Sequence, residues 1–412
     1  MFRSQFIRNQ MNIEDRKTGR IITRPILIVS GVSLLTDVAS EMLYPIMPMF
    51  LQSIGFSIIG IGVLEGFVEA FAGISKGYFG QLSDRIGRRV PFIRFGYGLS
   101  AIAKPLMAIF AFPIGIFLLR SVERLGKGIR TSARDAYLSD LTTREHKGRV
   151  FGFHRSMDTL GAAMGPALAL IILYFLPEQY RLLFVISVIP GMLAVLFTLL
   201  LREKVKSHKQ TERKSFFGFL SYWKTASKDY KLLIIGLLAF TLFNSSDAFL
   251  LLTLKSNGFE DTQVIGFYIF FNLIYALSSY PIGRLSDKIG QKTILVFGLS
   301  LFVIVYGSFG FASGIWQFAL LFLIYGIFAS STEGVSKALI SNISAKNQTA
   351  TALGFYNSFA SLGVLFGSTI TGLIWTVWSM KAAFVLSAAG ALIVIVYFSL
   401  FLGLREKSVN PE

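Results

Sequence analysis

The chain has 412 residues, 53% of them hydrophobic and only 15% charged, with a mean hydropathy of +0.61. That balance excludes an ordinary soluble domain, which carries more charge and fewer unbroken apolar runs. Cysteine is absent, which excludes disulfides and thiolate metal sites. The formal net charge of +17 does not mark a nucleic-acid surface, because the basic residues cluster in short segments between apolar runs.

In chain order, residues 1–24 are polar and basic (Arg3, Arg8, Arg16, Lys17, Arg20, Arg24) and lack the apolar core of a cleaved signal peptide. Spans of about 20 residues, the length a bilayer demands, are expected near 25–51, 58–82, 91–111, 113–137, 149–176 and 180–201. A charged connector, 202–230, separates them from six more near 231–255, 262–283, 292–313, 315–339, 347–376 and 381–404, before a short tail, 405–412. Arg85, Arg88, Arg89, Arg144, Lys147, Arg149, the connector, Lys288, Lys292, Arg405 and Lys407 all fall on one side. The opposite loops hold only Arg181, Lys255 and Lys381, so the positive-inside rule makes both termini cytoplasmic.

The two halves repeat. Gly80–Arg89 (GQLSDRIGRR) returns as Gly283–Lys292 (GRLSDKIGQK), and Gly55-Phe56 returns as Gly258-Phe259, each 203 residues on. Gly152 and Gly165 answer to Gly354 and Gly367 at an offset of 202. Repeated six-span units are a common architecture of secondary transporters, whose substrate site lies near the midplane between halves.

The fourth span carries a charged stripe. Arg120, Glu123, Arg124, Lys127, Arg130, Arg134 and Asp135 fall within an arc of about 140° at about 100° per residue. Each would cost roughly 2.5–3.5 kcal/mol facing lipid, so the stripe must face protein or a water-filled cavity.

These residues resemble the major facilitator superfamily over residues 25–404. Its loop signature G-x-x-x-D-R/K-x-G-R/K-R/K is matched by Gly80, Asp84, Arg85, Gly87, Arg88 and Arg89, and again by Gly283, Asp287, Lys288, Gly290 and Lys292, with Gln291 replacing one basic residue. Arg120, Gly126 and Gly128 are similar to its fourth-helix pattern, from which Glu123 and Arg124 depart. Gly161, Gly165 and Pro166 resemble the first part of the glycine-proline motif of drug/proton antiporters, whose second part is missing at Ala167-Leu168. The resemblance implies an all-α integral membrane protein: twelve transmembrane helices in two pseudo-symmetric six-helix bundles that rock around a central cavity. The bundles are then 25–201 and 231–404, joined by a cytoplasmic linker.

Asp37 and Glu41 are four apart and share one helical face. Two carboxylates in a low-dielectric cavity cannot both ionise cheaply, which suits proton exchange; antiporters of the resembled family often place an acidic proton carrier on the first helix. The bland reading has each acid paired with an arginine on another helix. Glu65 and Glu69 repeat the spacing level with Arg120 and Arg124, where ion pairing is the favoured reading, while Glu123 can pair with Lys127 within its own helix. Arg155 and Asp158 face the same way on the fifth span, beside His154, read as a solvated histidine. With Glu65, Glu69, Arg120, Glu123 and Arg124, they are expected to line a substrate cavity completed by Asp247 and Asn357 from the second half.

The signature-loop residues are expected to form a conformational latch. Arg130, Arg134 and Asp135 approach the cytoplasmic mouth as a gate, satisfied by water and the Asp84 loop. Gly126-Lys127-Gly128 lacks the residues of a phosphate loop, and no metal cluster, catalytic set or cofactor motif is read.

The expected protein is therefore no enzyme but a secondary active transporter working as a monomer in a bacterial cytoplasmic membrane. Its partners are lipid, protons and a small drug-like or anionic solute of metabolite or siderophore type, exported by proton antiport and without nucleic acid. A proton-driven uptake symporter and a non-transporting sensor are the alternatives.

Overall fold

The computed structural model describes residues 21–44, 46–176, 179–203 and 215–401. Segments 1–20, 204–214 and 402–412, and with them most of the basic tail, part of the connector and the C-terminal tail, lie outside the described residues. No strand occurs among the described residues.

The first half comprises α1 (Arg24–Glu41), α2 (Met47–Ser53), α3 (Ile58–Ile86), α4 (Val90–Ile109), α5 (Pro113–Asp140), α6 (Lys147–Phe175), α7 (Tyr180–Ile186) and α8 (Val188–Leu199). The described part of the connector carries a 3-10 turn, Gly218–Ser221, that runs into a short α-helix, α9 (Tyr222–Thr225). The second half comprises α10 (Lys228–Phe243), α11 (Ala248–Ser256), α12 (Asp261–Ile289), α13 (Gln291–Phe309), α14 (Ile315–Ile343), α15 (Thr349–Val377) and α16 (Met380–Phe401). Pairing α1 with α2, α7 with α8 and α10 with α11 leaves twelve crossing segments. Eight of these are long and apolar enough to cross a membrane. The other four are the first four, which are broken or carry the charge that lowers their hydropathy.

Local chemistry explains the boundaries. Proline opens α1, α2, α4 and α5, where its missing N–H costs nothing. Ser57 caps α3 by accepting from the Gly60 amide at 3.0 Å. The first span breaks after Glu41 and the seventh after Phe243. At the second break the run Asn244-Ser-Ser-Asp247 is rich in residues whose side chains compete for backbone hydrogen bonds. Both halves turn at equivalent glycines. Gly55 and Gly258 have φ of 95° and 87°, and Gly87 and Gly290 have 69° and 99°, so the repeated glycines all take a positive φ, although ψ differs between Gly87 (21°) and Gly290 (136°).

Two antiparallel seams join the halves: α3 lies against α15, and α6 against α12. Both are built on missing side chains. A Cβ on Gly80 would strike the Ala350 carbonyl, and one on Gly283 would strike the Gly148 carbonyl. One on Gly152 would meet Gly283 Cα at 3.0 Å. These contacts lie toward the signature-loop end. Further along α3, Glu65 and Glu69 are 36% and 44% exposed, so the halves part there.

Candidate functional site

Between the halves lies a cavity of about 500 Å³, sealed at the signature-loop end. Solvent reaches it: Lys127 is exposed although it sits mid-helix, and the Glu333 side chain is 50% exposed. Asp37, Glu41, Glu69, Arg155, Asp158, Asp247 and Asn357 line it, together with Arg130 and Arg134. Glu65, Arg120, Glu123 and Arg124, expected to share that lining, are placed outside it. Arg120 grips Glu65 with Nε and Nη2 at 3.0 and 3.2 Å and Glu123 at 2.8 Å, while Arg124 reaches Glu69 at 3.3 Å. This is the interhelical ion pairing that the spacing favoured. Glu123 thereby turns to Arg120 rather than Lys127.

The helix-1 acids part company. The Glu41 carboxylate accepts from the Tyr268 hydroxyl of the other half at 3.1 Å. Asp37 sits beside Asp158, the two carboxyls within hydrogen-bond reach. The glycines of the fifth span set this geometry. A Cβ on Gly161 would meet Asp37 Cβ at 3.0 Å, and one on Gly165 would meet Glu41 C at 2.9 Å, so α6 brings α1 close where its acids lie. Pro166 continues the same helix without ending it.

Asp158 is the hub of the floor. It accepts from Ser33 at 2.5 Å and from Arg155 at 2.8 Å, with Arg134 at 3.8 Å. Arg155 then crosses to the second half, donating to Tyr275 at 2.5 Å and pairing with Glu333 at 3.3 Å. Asp247, at the start of α11, accepts from Tyr325 at 2.6 Å. Asn357 lines the opposite wall, its buried Nδ2 without a hydrogen-bond partner among the described residues.

The gate differs from expectation. Asp135 is fully buried, and Arg134 and Lys337 meet it at 3.0 Å each, not water or the Asp84 loop; the Lys337 contact is an ion pair without hydrogen-bond alignment. Lys337 belongs to the second half, so this pair spans the halves beneath the cavity. Arg130 stays within its own half, 4.4 Å over the Tyr97 ring and donating to Ser100 at 2.7 Å. His154 is also not solvated: the closed end leaves it 3% exposed, with Nδ1 3.4 Å from Ser30.

The signature loops reach across the seams. Asp84 accepts from the Thr351 amide and hydroxyl at 2.6 Å each and from the Ala350 amide at 3.3 Å, at the first turn of α15. Arg89 pairs with the same carboxylate. Asp287 repeats the device, accepting from the Gly148 and Arg149 amides at 2.8 and 2.9 Å at the first turn of α6. Each is a carboxylate at the positive end of a helix from the other half. Beside the first sits Tyr222 of α9, its hydroxyl pushed up to about 12 by burial and then by the Asp84 charge. Arg88 and Lys288 are exposed and Arg85 is half-buried.

Sequence reasoning did not single out Lys76, Lys127, Tyr275, Tyr325 or Lys337 as site residues, though all five line the cavity. The repeat aligned helices within each half but held no signal for which faces meet across halves.

A family model described as Major Facilitator Superfamily matches residues 29–271 and 248–412. An uncharacterised MFS-type transporter of Methanocaldococcus jannaschii is 33% identical over 376 residues, covering 88% of this chain and 92% of that protein. The multidrug resistance protein MdtG of Serratia proteamaculans is 26% identical over 379 residues, covering 88% and 90%. Among solved structures, the human organic anion transporter MFSD10 (TETRAN) superposes with a TM-score of 0.79 at 15% identity, covering 91% of this chain and 98% of that one. A bacterial homologue of the iron transporter ferroportin in an outward-facing state gives 0.73 at 16% identity, covering 92% and 99%.

Proposed function

This chain belongs to the Major Facilitator Superfamily, a multi-pass membrane transport protein and not an enzyme, and on that premise we propose that it is a proton-coupled antiporter of a small charged solute. The observation that carries the coupling is the Asp37–Asp158 neighbourhood in a water-accessible cavity. Two carboxyls at hydrogen-bond reach repel each other unless a proton lies between them. Asp158 is also tied, through Arg155, to Glu333 and Tyr275 of the other half. Loss or gain of that proton therefore acts on the contacts that hold the halves together.

In this reading the bundles 25–201 and 231–404 rock about the cavity. The Asp84 and Asp287 caps, with the glycines and arginines of their loops, latch the signature-loop end, and the Asp135–Lys337 pair gates it. That end is cytoplasmic, as are both termini, because the basic loops lie there. The protein works as a monomer in the cytoplasmic membrane, and the state described is open to the outside. Export agrees with the multidrug name of the MdtG relatives and with the Gly161–Pro166 motif that seats the acids.

The test is solute-induced pH change inside proteoliposomes carrying the purified protein and a pH-sensitive dye. Antiport moves protons opposite to the solute. Movement in the same direction would make the protein an uptake symporter, and no solute-dependent pH change across cationic, anionic and zwitterionic panels would defeat the proton-coupled reading.

A further inference from the structure

Matching each charge that lines the cavity with its partners leaves a remainder. Arg134, Arg155, Lys337, Asp158, Glu333 and Glu69 each have an oppositely charged group within 4 Å. Asp37 is taken up by Asp158, and Arg130 rests on Tyr97 and Ser100. Four groups remain. Among the described residues, Glu41 and Asp247 have no cation within 4 Å and are held by the hydroxyls of Tyr268 and Tyr325. Among the described residues the Lys76 ammonium touches only the Ser361 hydroxyl, at 3.1 Å, and the Lys127 ammonium makes no hydrogen bond or ion pair.

The acids lie among aromatic rings and the lysines on α3 and α5, with Lys127 the cation that acts most on Glu41. Glu41 and Asp247 share one neighbourhood around Tyr44 and Tyr268, whose rings stack at 6.1 Å, with Phe271 packing between Tyr268 and Tyr325. Lys76 and Lys127 share another, on α3 and α5, with the Arg124-bound Glu69 beside them. Lys127 faces Glu41 across the cavity without reaching it. Carboxylates framed by aromatic rings suit an organic cation, and paired ammonium groups suit an oxyanion.

We infer that the cavity takes a zwitterionic solute, its cationic group held by Glu41 and Asp247 against Tyr268 and Tyr325, and its carboxylate or similar oxyanion by Lys127 and Lys76. A singly charged anion would leave both acids facing added negative charge. A singly charged cation would leave the two lysines facing only Glu69, which Arg124 already holds. A volume of about 500 Å³ accommodates a solute of small-drug size that spans the two neighbourhoods. This inference narrows the solute class of the proposed antiporter and rests on that reading for its transport role, though not for binding.

The test is ligand binding by the purified full-length protein, read as thermal stabilisation. The probes come from two skeletons, each in three charge forms. The first set is the dipeptide Phe-Phe (zwitterion), its C-terminal amide (cation) and its N-acetyl form (anion). The second is 4-(aminomethyl)benzoate, its amide and its N-acetyl form. The expected result is a zwitterion preferred by about tenfold or more over both singly charged forms in at least one skeleton. Lys127→Gln should erase the preference over the cation, and Glu41→Gln the preference over the anion. If the zwitterions of both skeletons bind no tighter than their singly charged forms, or do not bind at all, the inference is overturned. The wild-type series decides this even if a variant fails to fold. Proton-coupled transport of a simple cation would sink the zwitterion while sparing the antiporter. A zwitterion that binds without moving protons would do the reverse.

Discussion

Replacing Asp84 by Asn should open the signature-loop end. The wild-type carboxylate accepts two 2.6 Å hydrogen bonds from Thr351 and a longer one from Ala350, all from the opposite half, so these exist only while that end is closed. Its pairing with Arg89 lies within one half and survives opening, so it cancels from the comparison. Hydrogen bonds to a charged acceptor contribute about 1.5–3 kcal/mol each, against about 0.5–1.5 kcal/mol for neutral ones. Neutralising the acceptor of two such bonds therefore removes roughly 2–3 kcal/mol from the closed state alone, which moves the closed–open ratio roughly 30- to 150-fold. The chain has no cysteine, so a single Ala338→Cys reports cleanly. Ala338 is fully buried on α14, packed into the apolar cluster that holds Val150 and Phe151 of the first half. Its alkylation by a thiol reagent should accelerate in the Asp84→Asn background and again in Asp287→Asn, but not in Arg88→Gln, whose side chain is exposed. An unchanged alkylation rate in a folded Asp84→Asn protein would refute the reasoning.

Other outcomes follow from packing and unpaired charge. Gly165→Ala places a methyl 2.7 Å from the Met42 nitrogen and 2.9 Å from Glu41 C, so α1 must shift. Destabilisation of about 1–3 kcal/mol is expected, seen as a lower melting temperature with weaker solute binding; unaltered melting and binding would show that α1 yields freely. Lys104 is 2% exposed and its Nζ has no hydrogen-bond partner among the described residues, so Lys104→Met should raise the melting temperature. A fall would mean that the ammonium contributes stability through more distant acids such as Glu123. Breaking the Arg120 pairs by Arg120→Leu strands the buried Glu123 carboxylate and should cost about 3 kcal/mol or more. A variant melting with the wild type would contradict that.

The fold was legible because a bilayer imposes span length and the repeat imposes topology. Gly55, Gly87, Gly258 and Gly290 were visible as repeat positions, and their positive φ angles give the physical reason for glycine there. The facing of Glu65 and Glu69 onto Arg120 and Arg124 was legible from spacing, since helical periodicity fixes which side chains share a face. What spacing cannot supply is the partner on another half. Asp135 read as a mouth residue because it lies toward the inner end of its span, yet Lys337, about 200 positions on, pairs it in a buried site. His154 read as solvated because it lies near a helix end, yet that end is where the halves close. Lys127 read as the mate of Glu123, but Arg120 Nη1 takes that carboxylate at 2.8 Å, leaving the lysine to the cavity.

The most direct test separates exchange from drive in the same proteoliposomes. Solute counterflow needs only rocking of the halves, whereas accumulation against a gradient needs the proton. Asp37→Asn should retain counterflow and lose both pH-driven solute movement and solute-driven pH change, with Glu41→Gln weakening solute binding instead. If Asp37→Asn keeps moving protons with solute at the wild-type rate, the coupling site lies elsewhere and the central claim fails.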